Sequence, residues 1–196
     1  MAKPSPWKVT ESRILHDGQP WLTLHAETVQ LPDGREVAPY FRIDMRDFAI
    51  VHATAKAGEV LVLNLYRHGP RRIELALPGG LIDDGETPLV AAQRELMEET
   101  GYHATNWRTL GSYIMNSNYG CGRCHVFMAS EAEQVAEPDS GDLEDAELLL
   151  MPPEDLLGAV GQGRVGVMGH AAAIAMVTAA KVGFPVKDCS SPDSRT

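Results

Sequence analysis

Short runs of β-branched and aromatic residues, broken by turn formers, dominate the first 80 positions. Residues 26–44, AETVQLPDGREVAPYFRID, read as a hairpin with Pro32-Asp33-Gly34 at its turn. FAIVHATA (48–55) and EVLVLNLY (59–66) read as two further strands joined across Lys56-Ala57-Gly58, and RIELALPGG (72–80) as a strand ending in glycines. The pattern then changes period. From Pro88 to Thr100, Leu89, Ala92 and Leu96 recur at helical spacing, with Thr87 as N-cap, Pro88 at the first helical position and Gly101 at the stop. Strands are expected again at about 107–115, 123–129 and 144–151, followed by a short helix PEDLLGAV and an apolar helix GHAAAIAMVTAAKV. Strands and helices are mixed without strict alternation. The expected class is α+β, an α/β/α sandwich with a mixed β-sheet, rather than a doubly wound parallel sheet. Residues 1–48 form a small N-terminal β segment, 49–186 the main domain, and 187–196 a polar, Pro- and Ser-containing tail.

Composition narrows the function. The chain has 196 residues, 44% apolar and 22% charged, enough for one real core. A net charge of −10 argues against a nucleic-acid polymer as partner, since such proteins present a basic surface. A phosphorylated small molecule stays open, because a bound cation can supply the missing positive charge. No apolar run reaches the roughly 18 residues of a membrane span. The first residues carry no apolar leader, and three cysteines make no disulfide framework, so a reducing cytoplasm is expected. NYGCGRCH contains Cys121-x-x-Cys124-His125, formally the pattern of covalent haem attachment. Haem of that kind is attached outside the cytoplasm. Cys121 and Cys124 are therefore read as small packing residues and His125 as the start of a strand.

Residues 79–102, GGLIDDGETPLVAAQRELMEETGY, carry the chemistry. At about 100° per residue, Glu95, Glu98 and Glu99 fall within an arc of roughly 100° on one helix face. Such like charges repel by a few tenths of a kcal/mol per exposed pair. A solvated acidic face is one reading. The Gly-Gly loop before the helix and Arg94 beside the acids favour another, an oxygen-rich site for a hard divalent cation. The spacing is that of the Nudix box, G-x5-E-x7-R-E-U-x-E-E-x-G-U, in which U is bulky and apolar. Gly80, Glu86, Arg94, Glu95, Leu96, Glu98, Glu99 and Gly101 match it, with Tyr102 a looser final U. The chain thus resembles the Nudix hydrolases. The resemblance implies Mg²⁺- or Mn²⁺-dependent hydrolysis of a nucleoside diphosphate linked to another group X. It implies Glu95 and Glu99 as main metal ligands, Glu98 as a further ligand or water-orienting acid, and the Gly79 carbonyl as an extra ligand. Glu86 and Arg94 match positions that hold loop and helix together, and Gly80 and Gly101 backbone devices.

Outside the box the chain looks most like the ADP-ribose pyrophosphatase branch. LNLYRHG supplies Tyr66, Arg67 and His68, and Arg67 resembles an arginine that approaches substrate phosphates. In DSGDLEDAELLL, Glu144 resembles a metal- or water-binding acid and Asp142 a possible general base, with Glu98 competing for that role. Two departures stand out. Asn118 occupies the place of that branch's loop proline, and ALPGG replaces its usual ELPAG. No coenzyme A or NADH-branch element is present. ADP-ribose or a nucleotide sugar is the expected substrate; the alternatives are another dinucleotide or nucleotide, or a non-catalytic nucleotide-sensing module. NYGCGRCH becomes the substrate-selectivity loop, with Asn118 and Arg123 as donors to sugar or phosphate. The branch is commonly a homodimer joined through its N-terminal β segment. Trp21, Tyr40 and Phe41 are candidates for that interface, for stacking on a base, or for the core.

Overall fold

A computed structural model describes residues 3–139, 141 and 145–183, and the backbone of 187–188. The elements in chain order are β1 (Lys8–Gly18), β2 (Leu22–Gln30), β3 (Glu36–Met45), β4 (Phe48–Ala55), β5 (Val60–Arg67), β6 (Arg72–Ala76), α1 (Pro88–Thr100), β7 (Tyr102–His103), β8 (Asn106–Asn116), β9 (Gly120–Gln134), β10 (Ala146–Met151), α2 (Pro153–Gly161), α3 (Met168–Ala180) and β11 (Lys187–Asp188). The chain divides into two compact units: Met1–Asp47 with Ile114–Arg123, and Phe48–Tyr113 with Cys124–Thr196.

The first unit is built on the antiparallel ladder β1–β2–β3. The expected hairpin turn is present: Gly34 takes φ 86° and its N–H donates to the Leu31 carbonyl at 2.9 Å. Glu27, on β2, is buried and accepts from Arg42 Nε at 2.9 Å. That pairing offsets the cost of placing a carboxylate out of water and raises the Arg42 pKa. Strand β1 is not announced by the sequence pattern. Its side chains are almost all exposed, so no buried face imposes an alternation that could reveal it. Trp21 and Phe41 are 67% and 41% exposed, so neither is a core residue of this unit.

In the second unit, β4 lies parallel to β9, and β5 pairs antiparallel with both β6 and β10. The period-2 pattern of β4 sorts its two faces. Ala49, Val51 and Ala53 join a buried cluster with Ala91, Ala92 and Leu96 of α1 and Phe127 of β9. His52 points the other way, where α3 packs on β4 and where the charge of Lys181 reaches its ring. Helices therefore cover both faces, which is the sandwich expected. Leu96 has no exposed surface, a burial worth roughly 1.5–3 kcal/mol. Helix α1 has the expected ends: the Thr87 side chain accepts from Val90 N–H, and Gly101 is left-handed at φ 72°. A Cβ at Gly101 would lie 2.1 Å from the Ala136 carbonyl oxygen. The Gly101 carbonyl in turn accepts the N–H groups of Val135 and Ala136, which pins the end of α1 to the end of β9.

One crossing carries the chain from β6 toward α1. Residues 72–76 pair with β5, but the chain then leaves β5 for β4. Val51 N–H donates to the Pro78 carbonyl and Ala49 N–H to the Gly80 carbonyl, each at 2.9 Å. The crossing is braced from α3, where His170 Nδ1 accepts the Leu77 N–H at 3.2 Å.

Two buried histidines make the fold acid-sensitive. Burial lowers the pKa of His52 and of His170 to about 4. The unfolded chain binds those protons near the ordinary value of about 6.5. Stability from these groups is thus complete above about pH 6.5 and is lost as pH falls toward 4, where only the unfolded state takes up protons. His52 Nδ1 has no hydrogen-bond partner among the described residues. The His52→Leu variant should therefore keep the fold and be more stable than the parent at pH 5 by about 1–2 kcal/mol, with a smaller gain at pH 7.5. Thermal melts at the two pH values check this.

Candidate functional site

The crossing segment delivers Gly79 and Gly80 against the acidic face of α1. Gly79 has φ 152°, and a Cβ there would sit 2.1 Å from the Ala49 carbonyl oxygen. A Cβ on Gly80 would meet both Glu95 carboxylate oxygens, at 2.5 and 2.7 Å. Gly79 is demanded by close approach to backbone, whereas a side chain at Gly80 would have to displace the Glu95 carboxylate. Gly79 N–H donates to Glu99 Oε2 at 2.7 Å, so the bend and the helix are joined at this point. The Pro78 and Gly80 carbonyls are occupied by β4.

Arg94 gathers the acids. Its Nε and Nη2 donate to Glu86 Oε1 and Oε2 at 3.0 and 2.9 Å, its Nη1 to Glu95 Oε1 and Glu98 Oε2 at 2.7 and 3.0 Å, and Nη2 also to the Leu81 carbonyl at 3.0 Å. The planar guanidinium fork suits this many-sided role, which an ammonium could not fill. Donation to Glu86 leads the causes that push the Arg94 pKa upward, with the bonds to Glu95 and Glu98 after it. Glu86 Oε2 also accepts the Asp83 N–H at 3.0 Å, tying the loop before α1 to the same centre.

The donor set is all oxygen and all anionic, the chemistry of a hard divalent cation. One guanidinium against the four carboxylates of Glu86, Glu95, Glu98 and Glu99 leaves an acidic surplus for such an ion. Among the described residues, no three His, Cys, Asp or Glu side chains converge into a ready-made metal cluster. Glu95 and Glu98 are directed at Arg94, and Glu99 at the Gly79 amide.

The other sequence candidates are spread over both units. Arg67 ends β5, half-buried, with its charge felt by the His170 ring. Tyr66 and His68 meet edge to face at 6.2 Å. Asn118 and Arg123 belong to the first unit. There Asn116 Oδ1 accepts the N–H groups of Asn118 and Tyr119, each at 2.9 Å, and the Asn118 carbonyl accepts Tyr40 Oη–H at 3.0 Å. Gly120, Cys121 and Gly122 are consecutively left-handed at φ 88°, 62° and 73°. A Cβ on Gly122 would come within 2.6 Å of the Arg46 carbonyl oxygen. Asp47 Oδ1 accepts the Arg123 N–H at 2.8 Å. This loop, Arg42, Asp44 and Asp47 line a cavity of about 260 Å³ within the first unit. Cys124 is buried, and burial pushes its thiol up to about 11, far from a thiolate ligand or nucleophile. His125 lies inside β9 rather than at its start, because the strand begins at Gly120. Asp142 and Glu144 lie outside the described residues. Nothing in the sequence singles out His170 or Asp47. A histidine in the first turn of an apolar helix and an aspartate beside an arginine carry no pattern of their own.

Removing the hub should be costly. Arg94→Met leaves Glu86, Glu95 and Glu98 facing one another without their common donor. It is expected to lower unfolding stability by about 2–4 kcal/mol, measured as a shift of the urea midpoint. Arg94→Lys should recover only part of the loss, because it cannot make the fork to Glu86.

Comparison with known proteins agrees with this construction. The model of the nucleoside diphosphate sugar hydrolase N-terminal domain matches residues 7–43, and that of the NUDIX domain residues 44–168. A CMP-5'-(N-acetyl-N-hydroxy-3-aminopropyl)phosphonate hydrolase of Streptomyces rubellomurinus is 31% identical over 84% of this chain and 79% of its own length. An ADP-ribose pyrophosphatase of Bacillus subtilis is 29% identical over 71% of this chain and 75% of its own. The crystal structure of an ADP compounds hydrolase superposes with a TM-score of 0.82 at 18% identity, covering 93% of this chain and 98% of that one, a likeness of fold. With the box acids, the glycine bend and the sandwich in place, the chain belongs to the Nudix family.

Proposed function

We propose that this protein hydrolyses the pyrophosphate bond of a nucleoside diphosphate linked to a second group X, releasing a nucleoside monophosphate and phosphorylated X. ADP-ribose or a nucleotide sugar is the preferred substrate class. The observation that carries the reading is the intact acidic face of α1, on which Arg94 holds Glu95 and Glu98 and the Gly79 amide of the bend holds Glu99. Two of the relatives are named for a CMP-linked phosphonate and for ADP-ribose, which have in common a nucleoside monophosphate joined to a second group.

Nudix enzymes generally require a divalent metal. Here Mg²⁺ or Mn²⁺ would be held by Glu95, Glu98, Glu99 and the Gly79 carbonyl, together with Glu144. Such an ion, when bound, neutralises phosphate oxygens and lowers the pKa of bound water. The protein's own work is positional. Arg94 offsets the mutual repulsion of Glu95 and Glu98, and the Gly79 amide orients Glu99. Glu98 and Asp142 are the two candidates for the base that takes the proton from water. Arg67 would meet a substrate phosphate, and Asn118 and Arg123 would contact sugar or phosphate. The exposed Trp21 and Phe41 of residues 1–48 support a homodimer formed through this segment, and the three cysteines in 196 residues support a cytoplasmic setting.

A panel of nucleoside-diphosphate-X compounds with Mg²⁺ or Mn²⁺ tests the reading through phosphomonoester release. ADP-ribose should give AMP and ribose 5-phosphate; no cleavage of any member with either metal would overturn the assignment. Glu99→Gln keeps an oxygen to accept the Gly79 N–H but loses the charge. It should lower kcat by about 10²–10³-fold with an unchanged circular dichroism spectrum and melting temperature.

A further inference from the structure

Three amides of the crossing segment, spaced two residues apart, are each met by a different acceptor. Leu75 N–H donates to the Arg164 carbonyl at 2.9 Å, Leu77 N–H to His170 Nδ1 at 3.2 Å, and Gly79 N–H to Glu99 Oε2 at 2.7 Å. The opposite edge is fixed by β4 through the Pro78 and Gly80 carbonyls. The middle acceptor thus joins the scaffold to the acidic site. Leu77 is fully buried, so its amide has no water to turn to. An amide can donate to Nδ1 only if the proton of the neutral ring sits on Nε2. Burial and the Arg67 charge keep the ring neutral, with its pKa near 4.

The position of His170 is itself fixed. It lies in the first turn of α3, just after a loop clamped to β6. Gly166 N–H donates to the buried Glu74 Oε2 at 2.9 Å, and Arg72 Nη2 donates to the Gly163 carbonyl at 3.2 Å. A Cβ on Gly166 would lie 2.1 Å from Arg72 Nη2 and 2.5 Å from Glu74 Oε2, so a side chain there would have to displace the groups that clamp the loop.

We propose that His170 is a positioning residue for the acidic site: by accepting the Leu77 amide it sets the register at which Gly79 meets Glu99. The proposal rests on the hydrolase reading of that site, but it concerns a contact that can be observed without turnover. His170 touches no reacting atom; it acts through two residues of backbone.

Three variants separate this role from packing. In His170→Asn an oxygen takes the place of Nδ1. In His170→Gln the polar atoms sit at the level of Nε2, and in His170→Leu there is no acceptor. Hydrogen exchange of the Gly79 amide, kcat and KM for the panel's best substrate, and Mn²⁺ affinity by calorimetry are measured for each. His170→Asn should match the parent within about threefold. His170→Gln and His170→Leu should speed Gly79 exchange at least about tenfold and lower kcat by about 10–10²-fold with KM little changed. Mn²⁺ should bind about tenfold more weakly to both. If His170→Leu does not fold, the Asn and Gln pair decides alone. Gly79 exchange and kcat at parental values in His170→Gln, with only the melting temperature lowered, would overturn the proposal, as would an equal loss in His170→Asn. A parent protein that cleaves nothing would remove the hydrolase reading, while Gly79 exchange in the variants would still decide the role of His170.

Discussion

The acidic face of α1 depends on one guanidinium. Carboxylates at 86, 95 and 98 are brought within hydrogen-bond reach of a single point, and Arg94 occupies it with all three of its nitrogens. Each contact is charge-assisted and partly buried: 27% of the Arg94 side chain, 11% of Glu86 and 14% of Glu95 stay exposed. Burial opposes the charge on Arg94, and the hydrogen bonds to the acids outweigh it. The arrangement also leaves an excess of negative charge, so the helix face remains attractive to cations while it is held in shape.

The second constraint is steric. Gly79 lies so close to β4 that it has no room for a methyl group, and one at Gly80 would displace the Glu95 carboxylate. The bend can approach α1 only because the strand has already left β5 for β4, and that crossing is secured by backbone hydrogen bonds at alternate residues on both edges. The Gly79–Gly80 bend is thus held by hydrogen bonds on both edges, as a site that must keep its geometry requires.

Local signals made much of this legible in the sequence. Thr87, Pro88 and Gly101 mark the ends of α1 because capping is a property of a few adjacent residues. The shared face of Glu95, Glu98 and Glu99 is legible for the same reason, because helical periodicity turns sequence distance into direction; Glu86, before the helix, is placed by the family resemblance. The Leu31–Arg35 turn comes from Pro-Asp-Gly chemistry. What stayed hidden is non-local or without pattern. Strand β1 has no buried face to betray it. The change of partner from β5 to β4 occurs inside an apolar run that reads the same either way. The pairing of Leu77 with His170 spans 93 residues and involves a backbone amide, which has no identity in a sequence.

Gly120-Cys121-Gly122 has a consequence for how this protein can change. Its backbone is left-handed over three residues and wedged against the end of β3, with Gly122 close to the Arg46 carbonyl and the Arg123 amide held by Asp47. The neighbouring Asn118, Tyr119 and Arg123 are exposed. Shape and surface chemistry are thereby uncoupled. Exchanges at 118 and 119 alter what the loop offers to its surroundings without disturbing the path that carries them. A lineage could vary the surface chemistry presented there through single codon changes while the fold that bears the loop stays under no new strain.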